Sequence, residues 1–195
     1  MEIKAKKIIA VILISFLFLL SACSGGNNQN NDLPKDKTKT YETNYISLSY
    51  PQDWEVIENK DFPAGTPPST IVILTANVKN ELFITNINIA HNILPQAIDS
   101  TDYAKQVIAN QKATLQNYNE LSREEVSIQI GGKPAKAIMA IFEGKRLATD
   151  PVIRFIQLYA VKDTQAYIAT ASMLPTEEEY IQNAAKNVVK SLNIK

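Results

Sequence analysis

The 195-residue chain holds one cysteine, Cys23, and one histidine, His91, so thiol and imidazole chemistry each have a single candidate side chain. No disulfide can form within the chain, and paired-cysteine metal or redox motifs are excluded. A Ser-His-Asp site would have to use His91, yet no Gly-x-Ser-x-Gly elbow presents a serine to it. A metal site would need partners at fitting spacing, and none accompany His91, which is expected to be a structural polar residue at a strand end. Carboxylates cluster at Asp99 and Asp102, at Glu124 and Glu125, and at Glu177, Glu178 and Glu179. Two of them could act as acid and base in a hydrolase. The first and third groups, however, open helical patterns, where the helix dipole favours negative charge, and the second lies in a strand pattern with a solvated face. No calcium loop of the Asp-x-Asp-x-Asp-Gly kind is present. The reading therefore assigns no catalytic residue, no metal ligand and no cofactor. Binding candidates remain on loops: Lys60 and Phe62 in one, and Lys145, Arg146 and Asp150 at a later hairpin tip. Trp54, beside Tyr50 and Pro51, could form an aromatic platform but is expected to anchor the core.

The segment that positions Cys23 is the N-terminus. Lys4, Lys6 and Lys7 precede an apolar run over residues 8–20, which ends at Leu20-Ser21-Ala22-Cys23. Thirteen residues fall short of the about 20 that a bilayer-spanning helix needs, so the pattern predicts a signal peptide over residues 1–22. Leu-Ser-Ala-Cys resembles the bacterial lipobox. The resemblance implies that the Cys23 thiol is diacylated and becomes the mature N-terminus. Because each buried methylene contributes about 0.8 kcal/mol, two or three acyl chains would hold the protein firmly on a membrane. Residues 23–40, rich in Asn, Gly, Lys and Thr, bury too little to offset ordering entropy and read as a disordered tether of roughly 20 to 25 Å mean reach.

Residues 41–195 suit one domain with one core. Whole-chain charge balances at 20 basic and 20 acidic residues, but losing Lys4, Lys6, Lys7 and Glu2 with the signal peptide leaves the mature chain at about −2. With no basic stripe, nucleic acid is not an expected partner.

Ile46, Leu48 and Tyr50 alternate with serines as in a half-buried strand, and with Trp54 and Val56 beyond Pro51 they suggest a hairpin. Residues 59–69, with Pro63, Gly65, Pro67 and Pro68, read as an irregular loop. Strands are expected over residues 70–76 and 82–90. A helix follows, with N-cap candidates at residues 99–102 and a stripe of Ala104, Val107, Ile108, Leu115 and Tyr118. Four antiparallel strands come next: from residue 121 to Ile130, over 135–142 after the Gly131-Gly132 turn, over 152–162, and over 166–173. Thr176 and Glu179 form a capping-box pattern for a last helix whose apolar stripe is Ile181, Ala184, Ala185, Val188 and Leu192. This order predicts an α+β domain: two helices packed on a largely antiparallel sheet.

The run Tyr45-Ile46-Ser47-Leu48-Ser49-Tyr50-Pro51-Gln52-Asp53-Trp54 resembles the opening strand, Tyr-Pro turn and tryptophan of PsbP-like proteins. Asn86-Ile87-Asn88-Ile89, the Gly131-Gly132 hairpin, and the closing strand pair with its amphipathic helix occur in the same order. The resemblance spans nearly all of the globular part and implies a PsbP-like α/β sandwich. The family's founding member is an extrinsic photosystem II subunit. That role does not transfer on fold alone, but the resemblance implies binding without catalysis.

The functional expectation is a membrane-anchored extracytoplasmic lipoprotein with a non-catalytic binding or accessory domain. Its partners would be the membrane, through Cys23, and an envelope protein, met by the residue 59–69 loop or a sheet face. The alternative is a small-ligand carrier with a pocket between helix and sheet beneath Val107 and Leu115. A hydrolase using His91 or a carboxylate pair ranks last.

Overall fold

The computed structural model describes residues 37–77 and 82–195. The expected signal peptide, Cys23 and most of the expected tether lie outside them. Ten strands form one sheet: β1 (Thr38–Glu42), β2 (Ile46–Pro51), β3 (Glu55–Ile57), β4 (Thr70–Thr75), β5 (Asn86–Ile93), β6 (Gln116–Ile130), β7 (Lys133–Lys145), β8 (Ile153–Lys162), β9 (Gln165–Met173) and β10 (Asn193–Ile194). Helix α1 (Ser100–Thr114) precedes β6, and α2 (Glu179–Lys190) precedes β10. The spatial order is β1-β2-β10-β6-β7-β8-β9-β5-β4-β3. All neighbours are antiparallel except β10 and β6.

The sheet curls, and α2 sits against its concave face. Helix α2 touches β2 as well as β5, β8 and β9, strands far from β2 in the order. Ile181, Ala184, Ala185, Val188 and Val189 of α2 join Ile46, Leu48, Leu74, Ile87, Ile89, Met139 and Leu158 in one core. Helix α1 covers the convex face, where Tyr103, Ala104, Val107 and Ile108 pack with Ile138, Phe142, Phe155, Tyr159 and Ile168. Strands β8 and β9, covered on both faces, are buried at nearly every position. That double burial explains why their sequences read as almost continuous apolar runs.

The α+β class with two helices on a mostly antiparallel sheet agrees with the sequence reading, but several local expectations give way. The expected hairpin between residues 46–50 and 54–57 does not form: β2 pairs with β1 and β10, and β3 pairs with β4. Residues 52–54 instead carry the chain from one wing of the curl to the other, and Trp54 is sunk in the core as it crosses. Strand β1 begins at Thr38, three residues inside the expected tether. It needs only Tyr41 against the core, because its backbone pairs with β2. Helix α1 ends at Thr114, so Tyr118 belongs to β6 and stacks on Phe142 at 5.2 Å instead of extending the helix stripe. The expected strand over residues 82–90 starts at Asn86 and runs on to Ile93. The N-cap of α1 is as expected: Asp99 Oδ1 accepts from the Asp102 amide at 2.8 Å. The Thr176 capping box does not form. Helix α2 starts at Glu179, because Glu177 turns inward to accept the Thr85 hydroxyl at 2.5 Å.

Trp54 fastens the crossing between the wings. Trp54→Ala should destabilise the fold by about 3–5 kcal/mol, the range for an aromatic lost from a core, and denaturant unfolding checks it. A loss below about 1 kcal/mol would show that the crossing holds without it.

Candidate functional site

The pairing register gives the sheet two ends. At the proximal end β1 begins, β2, β4, β7 and β9 finish, and β3, β5, β6 and β8 start. Helix α1 runs toward that end and α2 away from it. At the distal end lie the β1–β2, β6–β7 and β8–β9 turns and the residue 58–69 loop.

The two groups of predicted binding residues fall at opposite ends. Lys60 is exposed in a 3-10 turn (Asn59–Asp61) of the distal loop, and Phe62, half-buried, follows it. Lys145, Arg146 and Asp150 sit at the proximal β7–β8 turn. The ten residues of β8 correspond to about 33 Å, so the two groups cannot form one site. The proximal group is also engaged with itself: Asp150 accepts from the Leu147 amide at 3.0 Å and pairs with Arg146 at 3.8 Å, while Lys145 Nζ donates to the Ala148 carbonyl at 3.4 Å. This is turn chemistry that shapes a tip.

His91, near the end of β5, lies between two tyrosine rings, with Tyr167 at 4.8 Å and Tyr45 at 6.3 Å. Tyr45 belongs to the β1–β2 turn, so the stack bridges the two wings of the curl at the distal end. Among the described residues no group of three or more His, Cys, Asp or Glu side chains is placed to hold a metal.

Two polar networks escaped the sequence reading. On the concave side Arg154 makes a forked pair with Glu143 Oε1, at 2.7 and 3.0 Å, and donates to Gln182 Oε1 of α2 at 2.8 Å. Gln182 Nε2 in turn donates to the Glu177 carbonyl at 2.6 Å, and Glu177 holds Thr85. The chain of contacts bolts the start of α2 to the sheet. On the convex side Gln111 of α1 donates to Gln157 Oε1 at 2.7 Å, Gln157 donates to Thr170 at 3.0 Å, and the Tyr159 hydroxyl closes on Gln157. This cluster packs with Phe142 and Phe155 beneath α1, on the face where the carrier reading places its pocket.

The third missed feature is an open edge. Strand β10 pairs with β6 only at Gln129 and Ile130, so among the described residues positions 116–128 of β6 have a strand neighbour on the β7 side alone. Ser191, which follows the last residue of α2, covers the matching gap on β2, accepting from the Ser49 amide at 2.9 Å, whereas residues 119–125 of β6 are exposed. Register irregularities between Gln116 and Asn119 and between Glu120 and Ser122 break the first part; from Ser122 onward the ladder is regular. Charges along the edge are already matched: Arg123 with Glu120 at 2.7 Å, Glu125 with Lys136 at 3.0 Å, and Glu124 with Lys190 at 3.7 Å. Leu121 is 47% exposed among them.

No protein-family model matches the chain, and no curated relative does. Solved structures do. Cyanobacterial PsbP from Synechocystis sp. PCC 6803 superposes with a TM-score of 0.56 at 11% identity, covering 90% of this chain and 99% of that one. LpqN of Mycobacterium tuberculosis, described as involved in cell envelope biogenesis, gives 0.53 at 14% identity, covering 77% and 83%. A Pseudomonas aeruginosa protein of unknown function, PA94, gives 0.52 at 14% identity, covering 79% and 94%. The chain has a PsbP-like fold.

Replacing Arg154 with Met should leave Glu143 and Gln182 without their partner and cost about 1–3 kcal/mol in chemical denaturation. An unchanged midpoint would mean that α2 is held by its apolar stripe alone. The tyrosines supply a second check. Burial pushes Tyr103 up to about 12, with Asn92 pulling the other way; burial, then the Glu120 charge, brings Tyr118 to about 12; burial raises Tyr159 well above its usual value. A phenol with a raised folded pKa stabilises the fold below its unfolded value near 10.0 and loses that contribution as pH climbs through the folded value. Stability should therefore hold to about pH 10 and fall toward pH 12, with the last phenolate absorbance appearing together with loss of the far-UV signal. Complete tyrosine ionisation before any unfolding would contradict this.

Proposed function

We propose that the protein is a lipid-anchored accessory component of the bacterial cell envelope, which binds an extended segment of another envelope protein along β6 and performs no catalysis. The open edge of β6 carries this reading. Among the described residues, a regular stretch from Ser122 to Ser127 has half of its backbone donors and acceptors without a strand partner, and an added strand would gain main-chain hydrogen bonds there. Side-chain charges on that stretch are balanced within the chain, so the partner segment needs no net charge of its own and supplies polar and β-branched residues. The lipobox-like Leu20-Ser21-Ala22-Cys23 supports the anchor, and the likeness to LpqN supports an envelope setting. The networks around Arg154 and Gln157 are saturated within the protein, which fits a structural role for them.

A photoreactive residue at Leu121 of the lipidated protein, in its own host, should capture one envelope protein. The captured segment, added as a peptide, should then slow amide exchange across residues 122–127. Capture at Phe62 or Arg146 with none at Leu121 would move the interface to a loop. Exchange unchanged at β6 on peptide binding would remove strand addition as its mode.

A further inference from the structure

We infer that the proximal end of the sheet rests on the lipid surface, with the β7–β8 tip as its contact point. The inference builds on the proposed lipid anchor and adds the face that the anchor presents. Three of the exposed large apolar side chains cap this one end. Leu147, 51% exposed, stands on the β7–β8 turn; Leu82, 66% exposed, stands in the β4–β5 connection; Tyr180 lies in the first turn of α2. Strands β5, β9, β8 and β7 are successive neighbours, so the Leu82 and Leu147 connections are about three strand spacings, roughly 15 Å, apart. Lys145 and Arg146 precede Leu147, and with Asp150 paired to Arg146 at 3.8 Å the turn keeps one net positive charge beside its apolar tip, a combination suited to the interfacial zone of a bilayer.

The path of the chain selects the same end. The Gln52 amide donates to the Lys37 carbonyl at 2.7 Å and Thr38 pairs with Pro51, which fixes the entry of the N-terminal segment at the proximal end. From Cys23 to Thr38 the backbone can reach at most about 50 Å, and placing the distal end on the membrane would spend about 33 Å of that along the length of β8. With the proximal end down, the segment needs no such extension. Charge confines the contact further. Asp53, Glu177 and Glu178 surround Tyr180 and raise its phenol pKa behind the effect of burial, so the α2 side of this end stands off an anionic surface and the Leu147 side approaches it.

Because Cys23 is the only cysteine and its thiol carries the lipid, a single introduced cysteine can be labelled without ambiguity. The lipidated full chain carrying L147C, L82C or I93C is labelled with an environment-sensitive fluorophore and bound to phosphatidylcholine–phosphatidylglycerol vesicles with brominated acyl chains. Ile93 is 78% exposed at the distal end and serves as the matched apolar control. A side chain at the headgroup–acyl boundary lies about 5–10 Å deep, so quenching at L147C and L82C should exceed that at I93C by about twofold or more. Equal quenching at the two ends, or stronger quenching at I93C, overturns the inference and leaves the anchor intact. Lipidated wild-type protein that does not float with the vesicles removes the anchor itself, and the inference falls with it.

Discussion

The link between β2 and β3 constrains everything else in this fold. In sheet order these strands are eight steps apart, about 38 Å if the sheet were flat. The backbone from Pro51 to Glu55 can bridge only about 14 Å. The sheet has to curl until its wings approach at the proximal end, and the side chain at the junction, Trp54, is buried where they meet. At the distal end the Tyr45–His91–Tyr167 stack makes a second bridge between the same wings. The polar strand-end residue is thus also a packing element, and its imidazole is held by ring faces.

A curled sheet leaves a concavity that only an apolar rod can fill, and α2 is that rod. Its small residues Ala184 and Ala185 let the helix lie close to the sheet, and Val188 and Val189 share the same core. Position along the axis needs directional contacts, which apolar packing does not provide. Glu177, Gln182 and Arg154 supply them at the start of the helix, and Ser191, bonded to Ser49, supplies one at its end. The same economy explains β10. Two residues suffice to join β2 to β6 at the distal end, because α2 occupies the space below them.

Sequence patterns revealed what depends on local burial. Strands β7, β8 and β9 were legible because burial on one or both faces writes a period into the residues, and α2 because one apolar face does the same at helical spacing. Pairings that depend on distant partners were not legible. Strand β2 is flanked by β1 and by β10, and β10 lies more than 140 residues away; nothing in residues 46–57 argues against the simple hairpin. The first three residues of β1 carry a tether-like composition because the order of that strand comes from backbone bonds and one tyrosine. Glu177 looked like a helix-dipole residue, and only its burial against Thr85 shows why the helix starts later. Of the candidate binding residues, loop composition gave the positions of Lys60, Phe62, Lys145, Arg146 and Asp150 but not their separation, which follows from strand direction. The β6 edge left no trace in the sequence, since its residues alternate no differently from those of a paired strand with a solvated face.

An edge of this length would normally invite self-association, and the charges along it oppose some of the registers that could bring it about. In antiparallel pairing of two copies about a two-fold axis normal to the sheet, residues facing each other must share a face. Centring such a pair on Arg123 sets arginine against arginine and centring it on Glu125 sets glutamate against glutamate, each destabilising, whereas centring it on Glu124 also sets Arg123 against Glu125 on either side. Moving the centre toward the start of β6 meets the irregularities between Gln116 and Ser122, and moving it toward the end meets β10. Several registers with a second copy thus meet like charge, a bulge or an existing strand, while one centred on Val126 meets none of these. A different chain without charges at the facing positions meets none of the like-charge penalties. Among the described residues the edge thus raises the cost of some self-pairings without closing it, where burial or helix cover would have removed it altogether.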